Sequence, residues 1–111
     1  MPGFSDNIRL TEHKTLLVPF SIARDGKSLL EVLGKLPFIR KFLSYFINFR
    51  EIFKIVPKYG LIAEYDLNGK LLKSWHDPTG SVVESSSEVQ LHDNKLYLGS
   101  FYIDYIAVVD Y

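Results

Sequence analysis

The stretch KYGLIAEYDLNGKLLKSW, residues 58–75, decides the fold class of this chain. Its two apolar arms, Lys58–Tyr65 and Lys70–Trp75, flank Asn68-Gly69, and an Asn-Gly pair between such arms is a strong signal of a β-hairpin. A type I′ turn is expected at this pair, because that turn requires a positive φ at both central residues. The centre of the chain is therefore predicted to be antiparallel β structure.

Further strands are predicted downstream of this hairpin. The elements are, in order, the turn Asp77–Gly80, the polar connector Ser81–Ser87, the strand Glu88–Leu91, the turn Asp93-Asn94, the strand Lys95–Phe101 and a last strand at Tyr105–Val109. Alternating apolar residues and short turns are typical of half-buried antiparallel strands.

A third hairpin is predicted upstream. The alternating residues of Ile8–Leu10 and Lys14–Ala23 surround a polar turn, Thr11–Lys14. Pro19 cannot donate a hydrogen bond to a neighbouring strand, so its strand is expected at a sheet edge or with a bulge there. Hairpins spaced in this way are typical of a barrel, a sandwich or a propeller, although no internal sequence period is evident.

An amphipathic helical insertion is predicted at residues 28–56. Ser28 and Glu31 have the spacing of a capping box, Pro37 suits the start of a helix, and Pro57 ends the apolar stripe. Residues 24–58 carry eight Lys or Arg against three acids, whereas residues 59–111 carry three Lys against eight acids. This asymmetry fits either two solvated faces that happen to differ, or a basic segment that meets a membrane surface or an acidic partner.

Several classes of protein are excluded by composition. The chain has no cysteine, so disulfides and thiolate metal sites are absent. No secretory signal pattern and no membrane-spanning apolar run occur, so a soluble or peripherally bound chain is expected. The sequence has no Gly-rich phosphate loop and no basic-aromatic pattern, and a nucleic-acid partner is therefore not expected.

Asp6-Asn7, immediately before the first predicted strand, is a candidate metal-binding pair. A carboxylate and an amide oxygen held at a sheet edge suit a hard cation, but the same pair also suits an Asx turn that leads into the strand. The three histidines, His13, His76 and His92, lack metal-ligand spacing and are expected at the surface. Glu88 is expected to be either an exposed residue at the start of a strand or a polar group of a site.

Several collinear segments resemble one family, the strictosidine synthase-like proteins, over nearly the whole chain. The segments are Pro2–Arg9, Pro37–Lys41, Lys58–Leu61, Ser74–Gly80, Ser87–Val89 and Leu96–Ser100. The resemblance is to the C-terminal part of the family, and it implies a six-bladed β-propeller that carries an N-terminal membrane anchor in its animal members. Residues 1–111 would then be a mainly β, partial propeller of about two blades, whose partners are the missing blades. The parent protein would be membrane-associated, with its propeller on the lumenal or extracellular side.

The same resemblance implies a chemistry. The wider superfamily includes the paraoxonases, calcium-dependent esterases and lactonases in which an Asp-Asn pair before a strand binds calcium, and Asp6-Asn7 resembles that pair. The remaining calcium ligands would come from earlier blades. The catalytic glutamate of plant strictosidine synthase falls near Glu88, but alignment through His92-Asp93 places it at Ser87.

Three functions are therefore weighed. The first is a fragment of a calcium-binding arylesterase- or lactonase-like hydrolase, inactive alone, whose parent acts on a small ester or lactone. The alternative is a non-enzymatic module that binds a membrane or partner through the basic helices of residues 28–56. The third is a piece with no function of its own, which oligomerises through its open sheet edges.

Overall fold

The computed structural model describes residues 3–24, 35–46, 48 and 58–111. The chain divides into two compact units, one made of Met1–Ala23 with Lys58–Tyr111 and the other of Arg24–Pro57. The described part of the second unit contains helix α1, Pro37–Ser44. The predicted capping box at Ser28 and Glu31 lies outside the described residues, as does the apolar stripe from residue 49 onward.

The first unit consists of two antiparallel sheets. The strands of the first sheet are β1 (Gly3–Ser5), β2 (Arg9–Leu10), β3 (Leu16–Ala23), β4 (Gly60–Tyr65) and β5 (Leu71–Asp77); those of the second are β6 (Ser86–His92), β7 (Lys95–Ser100) and β8 (Ala107–Asp110). The first sheet has the order β1-β3-β4-β5 with β2 also paired to β3, and the second has the order β6-β7-β8. The prediction of a mainly β chain is confirmed, and two open antiparallel sheets are compatible with a partial propeller. Among the described helices, none has the length and apolar character needed to cross a membrane.

The turn chemistry differs from the prediction at one hairpin. Gly69 has a positive φ of 83°, but Asn68 does not, so the expected type I′ turn at this pair is wrong. The Asp66 carboxylate accepts hydrogen bonds from the backbone N–H groups of Asn68 and Lys70, both at 2.8 Å, which stabilises a longer loop. The two-residue turn with positive φ at both positions occurs instead at Asp93 (47°) and Asn94 (58°).

Pro19 lies in an interior strand, so the prediction of an edge strand is wrong. Strand β3 pairs with β4 on one side and with β1 and β2 on the other, and the irregularity in the β1 pairing falls beside Ser5, opposite Phe20. Between the β1 and β2 pairings, the Pro19 carbonyl accepts a hydrogen bond from the Asp6 backbone at 3.1 Å. In an extended strand the N and C=O of one residue point to the same side, so the proline nitrogen faces a gap where no donor is needed.

The main core lies between the two sheets. Alternation along β3 sends Leu17 toward this core and Val18 to the opposite face of the sheet. The residues of the core between the sheets are Leu17, Ile62, Val83, Val89, Leu96, Leu98 and Ala107. The opposite face carries a smaller buried cluster of Val18, Phe20, Leu61 and Ala63. Apolar side chains on both faces of β3 and β4 are therefore removed from water.

The connector between the sheets is buried, although its sequence is polar. Val83 enters the main core, and Ser85 and Ser86 are also buried. The Asp77 carboxylate holds the entry to this connector, because it accepts hydrogen bonds from the backbone N–H groups of Val82 (2.6 Å) and Val83 (3.0 Å). The Val83 carbonyl oxygen then packs so closely on Gly60 that a Cβ atom there would overlap it.

Gly60→Ala is expected to destabilise the first unit by more than about 2 kcal/mol, because backbone rather than a flexible side chain occupies the space. Gly69→Asn is the matched control, since its surroundings are open and Asn tolerates a positive φ; a change below about 1 kcal/mol is expected. Urea unfolding followed by circular dichroism measures both. Equal stability of the two variants would contradict the close approach.

Asp77 is expected to make stability depend on acid pH. Desolvation by burial raises the pKa of Asp77, but the hydrogen bonds from Val82 and Val83 outweigh it and lower the pKa from 3.8 to about 2. Because the folded pKa lies below the unfolded one, this stabilisation is complete above about pH 4 and is lost as the pH falls toward 2. In Asp77→Asn, Tm should be lower at pH 7 and should fall less between pH 4 and pH 2. Asp104→Asn, at an exposed position, should keep the parental pH profile.

Candidate functional site

Asp6 and Asn7 lie in the short segment between β1 and β2, alongside β3. The Asp6 backbone N–H donates to the Pro19 carbonyl at 3.1 Å, and the Asn7 backbone N–H donates to the Ser87 carbonyl at 3.4 Å. The Asn7 side-chain Nδ2 donates to the same Ser87 oxygen at 3.3 Å. This pair is therefore held by contacts to both sheets.

The two side chains offer part of a cation site. Both residues are exposed, and the carboxylate of Asp6 takes no hydrogen bond from the described residues. With Nδ2 of Asn7 turned to Ser87, Oδ1 remains available as a ligand. Calcium requires about six to eight oxygen ligands, and the described residues contain no group of three or more His, Cys, Asp or Glu that could hold a metal. The pair fits the chemistry of calcium, but only as a fraction of a complete site.

Glu88, the sequence candidate for catalysis, is paired with an arginine. Its Oε1 accepts a hydrogen bond from Nε of Arg9 at 2.8 Å, and its Oε2 accepts one from an Nη atom of the same guanidinium at 2.6 Å. The backbone N–H of Val89 also donates to Oε1 at 3.0 Å. The hydrogen bond from Arg9 lowers the pKa of Glu88 below its ordinary value, so the carboxylate is ionised at neutral pH. This arrangement suits an anchor between β2 and β6 better than a group that gives or takes a proton.

A chain of hydrogen bonds that the sequence reasoning missed joins Tyr59, His76 and Ser74. The Tyr59 hydroxyl lies 2.9 Å from Nδ1 of His76, and Nε2 of His76 lies 3.0 Å from Oγ of Ser74. The order of contacts is that of a hydroxyl, its base and the group that orients the base. Ser74 and His76 are both exposed, and a neutral phenol stabilises an imidazolium less than a carboxylate does. The spacing of Ser74 and His76 on one strand face was the available signal.

A buried polar network lies at one end of the main core. Oε1 of Glu64 accepts hydrogen bonds from the Thr15 hydroxyl at 2.6 Å and the Tyr111 hydroxyl at 2.8 Å. Burial and then the Glu64 hydrogen bond raise the pKa of Tyr111 to about 12. The Tyr111 ring stacks on Trp75 with a centroid separation of 5.8 Å, and Nζ of Lys73 lies 4.7 Å from both ring centroids. These groups fasten the end of β8 to the first sheet.

The histidines lie at separate exposed positions of the described structure. His13 stacks on Tyr111 at 6.0 Å, and His92 contacts the neighbouring carboxylate of Asp93 at 3.4 Å. His76 belongs to the hydrogen-bonded chain with Tyr59. They do not converge on a common point with a third ligand among the described residues.

Comparisons with known proteins identify relatives by sequence. The chain is 38% identical over 112 residues to adipocyte plasma membrane-associated protein of Salmo salar, which covers 99% of this chain and 27% of that protein. It is 40% identical over 103 residues to the protein of the same name from Homo sapiens, covering 91% of this chain and 25% of the relative. Protein strictosidine synthase-like 3 of Arabidopsis thaliana is 31% identical over 112 residues, covering 97% of this chain and 28% of the relative. The chain thus spans about a quarter of the length of these relatives. No family profile and no solved structure match the chain.

Arg9 and Glu88 are expected to stabilise the first unit as a coupled pair. Arg9→Lys should lower the midpoint of urea unfolding at pH 7, because an ammonium cannot bond both carboxylate oxygens in the geometry of a guanidinium. Adding Glu88→Gln to Arg9→Lys should cost less than it costs in the parent chain, as a double-mutant cycle measures. Strictly additive effects would rule out the pairing. Glu12→Gln, in an exposed turn, is the charge-matched control.

Proposed function

Since this chain is a homologue of the adipocyte plasma membrane-associated and strictosidine synthase-like proteins, we propose that it forms the C-terminal part of a six-bladed β-propeller. It would supply about two blades, and its partners would be the remaining blades of the parent chain. The two separate antiparallel sheets support this proposal, because each has the size of a blade and each has edge strands.

The proposed activity of the complete propeller is calcium-dependent hydrolysis of an aryl ester or a lactone. The observation that carries the calcium part is the Asp6-Asn7 segment, in which two backbone contacts present a carboxylate and an amide oxygen at one exposed position. Asp6 and Asn7 would hold the ion together with ligands from the missing blades. Calcium bound there would act as a Lewis acid toward the carbonyl oxygen of the substrate. The residues of this chain would position the ion and carry no proton.

The pairing of Glu88 supports a structural role for this residue in the same proposal. An ionised carboxylate with both oxygens bonded to Arg9 is poorly suited to general acid or base catalysis at neutral pH. The pair holds β2 beside β6, and Asn7 lies between them in the sequence of contacts, two residues before Arg9 and bonded to Ser87. Glu88 would therefore position the calcium-binding segment rather than react with substrate.

The proposed location of the parent protein is a membrane. The relatives are named as plasma membrane-associated, and we extend that location to the parent of this chain, with its propeller on the lumenal or extracellular side.

The proposal is tested in a chimaera in which this chain replaces the matched segment of the Salmo salar relative. The chimaera is expected to hydrolyse phenyl acetate in the presence of calcium and to lose that activity on chelation. Asp6→Ala and Asn7→Ala should each raise the calcium concentration for half-maximal activity by at least about tenfold, since even outer-shell changes have effects of that size. Asp104→Ala, at an exposed position of the second sheet, is the control and should change nothing.

The isolated chain of 111 residues is expected to have no such activity, because it supplies only two candidate ligands. Activity of the chimaera that survives chelation, or that is indifferent to Asp6→Ala, would refute the calcium site. Appreciable calcium-dependent hydrolysis by the purified chain would refute its inactivity alone.

A further inference from the structure

Helix α1 and the turn after it expose a row of aromatic side chains. Phe38, Phe42, Tyr45 and Phe46, together called the aromatic stripe here, are 88%, 65%, 76% and 75% exposed. Their spacing of four, three and one residues places them along one face of a helix. The turn continues this face, since the backbone N–H groups of Tyr45 and Phe46 donate to the carbonyls of Phe42 and Leu43.

The stripe forms a continuous apolar surface rather than scattered residues. The rings of Phe42 and Phe46 are adjacent, with centroids 5.2 Å apart. Leu36 and Ile39 are also exposed, at 43% and 46%. Single exposed apolar residues are ordinary, but a contiguous patch marks a surface that binds something.

The charges beside the stripe are all positive. Residues 32–50 contain Lys35, Arg40, Lys41 and Arg50 and no Asp or Glu. Lys41 is exposed, lies in the last turn of α1 and at helical spacing borders the stripe. The surface therefore combines aromatic rings with uncompensated positive charge.

We propose that α1 binds the surface of an anionic lipid bilayer, with the aromatic stripe at the boundary of headgroups and acyl chains. Phe and Tyr are favourable at this depth, and long basic side chains beside them reach the phosphates. Each Lys or Arg near an anionic surface adds attraction of about 1 kcal/mol. A second copy of this segment is a poorer occupant, because two such basic segments repel each other.

The geometry of α1 fits binding in the plane of the interface. Eight residues make a helix about 12 Å long, whereas the hydrocarbon core is about 30 Å thick. The Ser44 hydroxyl donates to the Lys41 carbonyl at 2.8 Å, which satisfies a backbone group at the end of the helix. The apolar face can thus be buried while the polar side and the helix end stay hydrated.

The test is flotation of the full chain with vesicles of equal parts phosphatidylcholine and phosphatidylserine, compared with vesicles of phosphatidylcholine alone. Binding is expected to the anionic vesicles and to weaken at about 1 M salt, where the Debye length is about 3 Å. Phe38→Ser and Phe42→Ser should each weaken binding by about tenfold or more. Charge reversal in Lys41→Glu should weaken it by about tenfold.

Two matched controls test whether the effect belongs to this surface. Leu67→Ser removes an apolar side chain that is 61% exposed in the β4–β5 loop, and Lys14→Glu reverses an exposed charge in the β2–β3 turn. Both should bind vesicles like the parent chain. Because the stripe residues are exposed, the unchanged circular dichroism spectrum of their variants will show that folding is not the cause of lost binding.

Binding that persists in the Phe38→Ser, Phe42→Ser double variant, or that is equal on neutral and anionic vesicles, would overturn the proposal. Absence of vesicle binding would also overturn it, and a concentration-dependent dimer that Phe38→Ser abolishes would then assign the stripe to a second copy. This inference does not rest on the calcium-dependent activity, so an inactive chimaera that still floats with vesicles leaves it intact.

Discussion

The packing of one sheet on the other depends on the path that the chain takes from β5 to β6. Asp77 turns the backbone by binding the N–H groups of Val82 and Val83, and the Val83 carbonyl lies against Gly60, where a side chain would block it. Val83 then fills the core between the sheets beside Leu17 and Val89. Every contact between the sheets near Asn7 follows from this crossing, because it sets where β6 begins. The Ser87 carbonyl and the Glu88 carboxylate are thereby placed opposite Asn7 and Arg9.

The local structure was largely predictable from the sequence, since strands and turns depend on nearby residues. The hairpin at Asp93-Asn94 and the turn at Asp77–Gly80 were placed correctly, because both rely on residues that accept unusual backbone angles or cap a turn. The turn type at Asn68-Gly69 was not, because Asp66 competes by accepting hydrogen bonds from the loop. The polar letters of Ser81–Ser87 concealed a buried connector, since backbone contacts rather than side-chain hydropathy hold it in place.

Contacts between distant residues could not be read from the sequence. Arg9 and Glu88 are 79 positions apart, and their pairing depends on how the sheets face each other. The burial of Glu64 within an apolar strand was visible as an anomaly, but its partner Tyr111 was not. For the candidate site, the residue types of Asp6-Asn7 suggested a cation, while their anchoring on Pro19 and Ser87 emerged only from the fold. The family resemblance supplied the expectation that other ligands belong to other blades.

The stack of Trp75 on Tyr111 makes the chain its own spectroscopic reporter. Trp75 is the single tryptophan among 111 residues, so all indole emission originates beside Tyr111 and Lys73. A nearby ammonium and a stacked phenol perturb the excited indole, and both are lost when the end of β8 leaves the first sheet. The emission maximum and lifetime of the unlabelled protein therefore follow the attachment of the two sheets directly. Opening at this seam can be distinguished from melting of either sheet, which far-ultraviolet circular dichroism records separately.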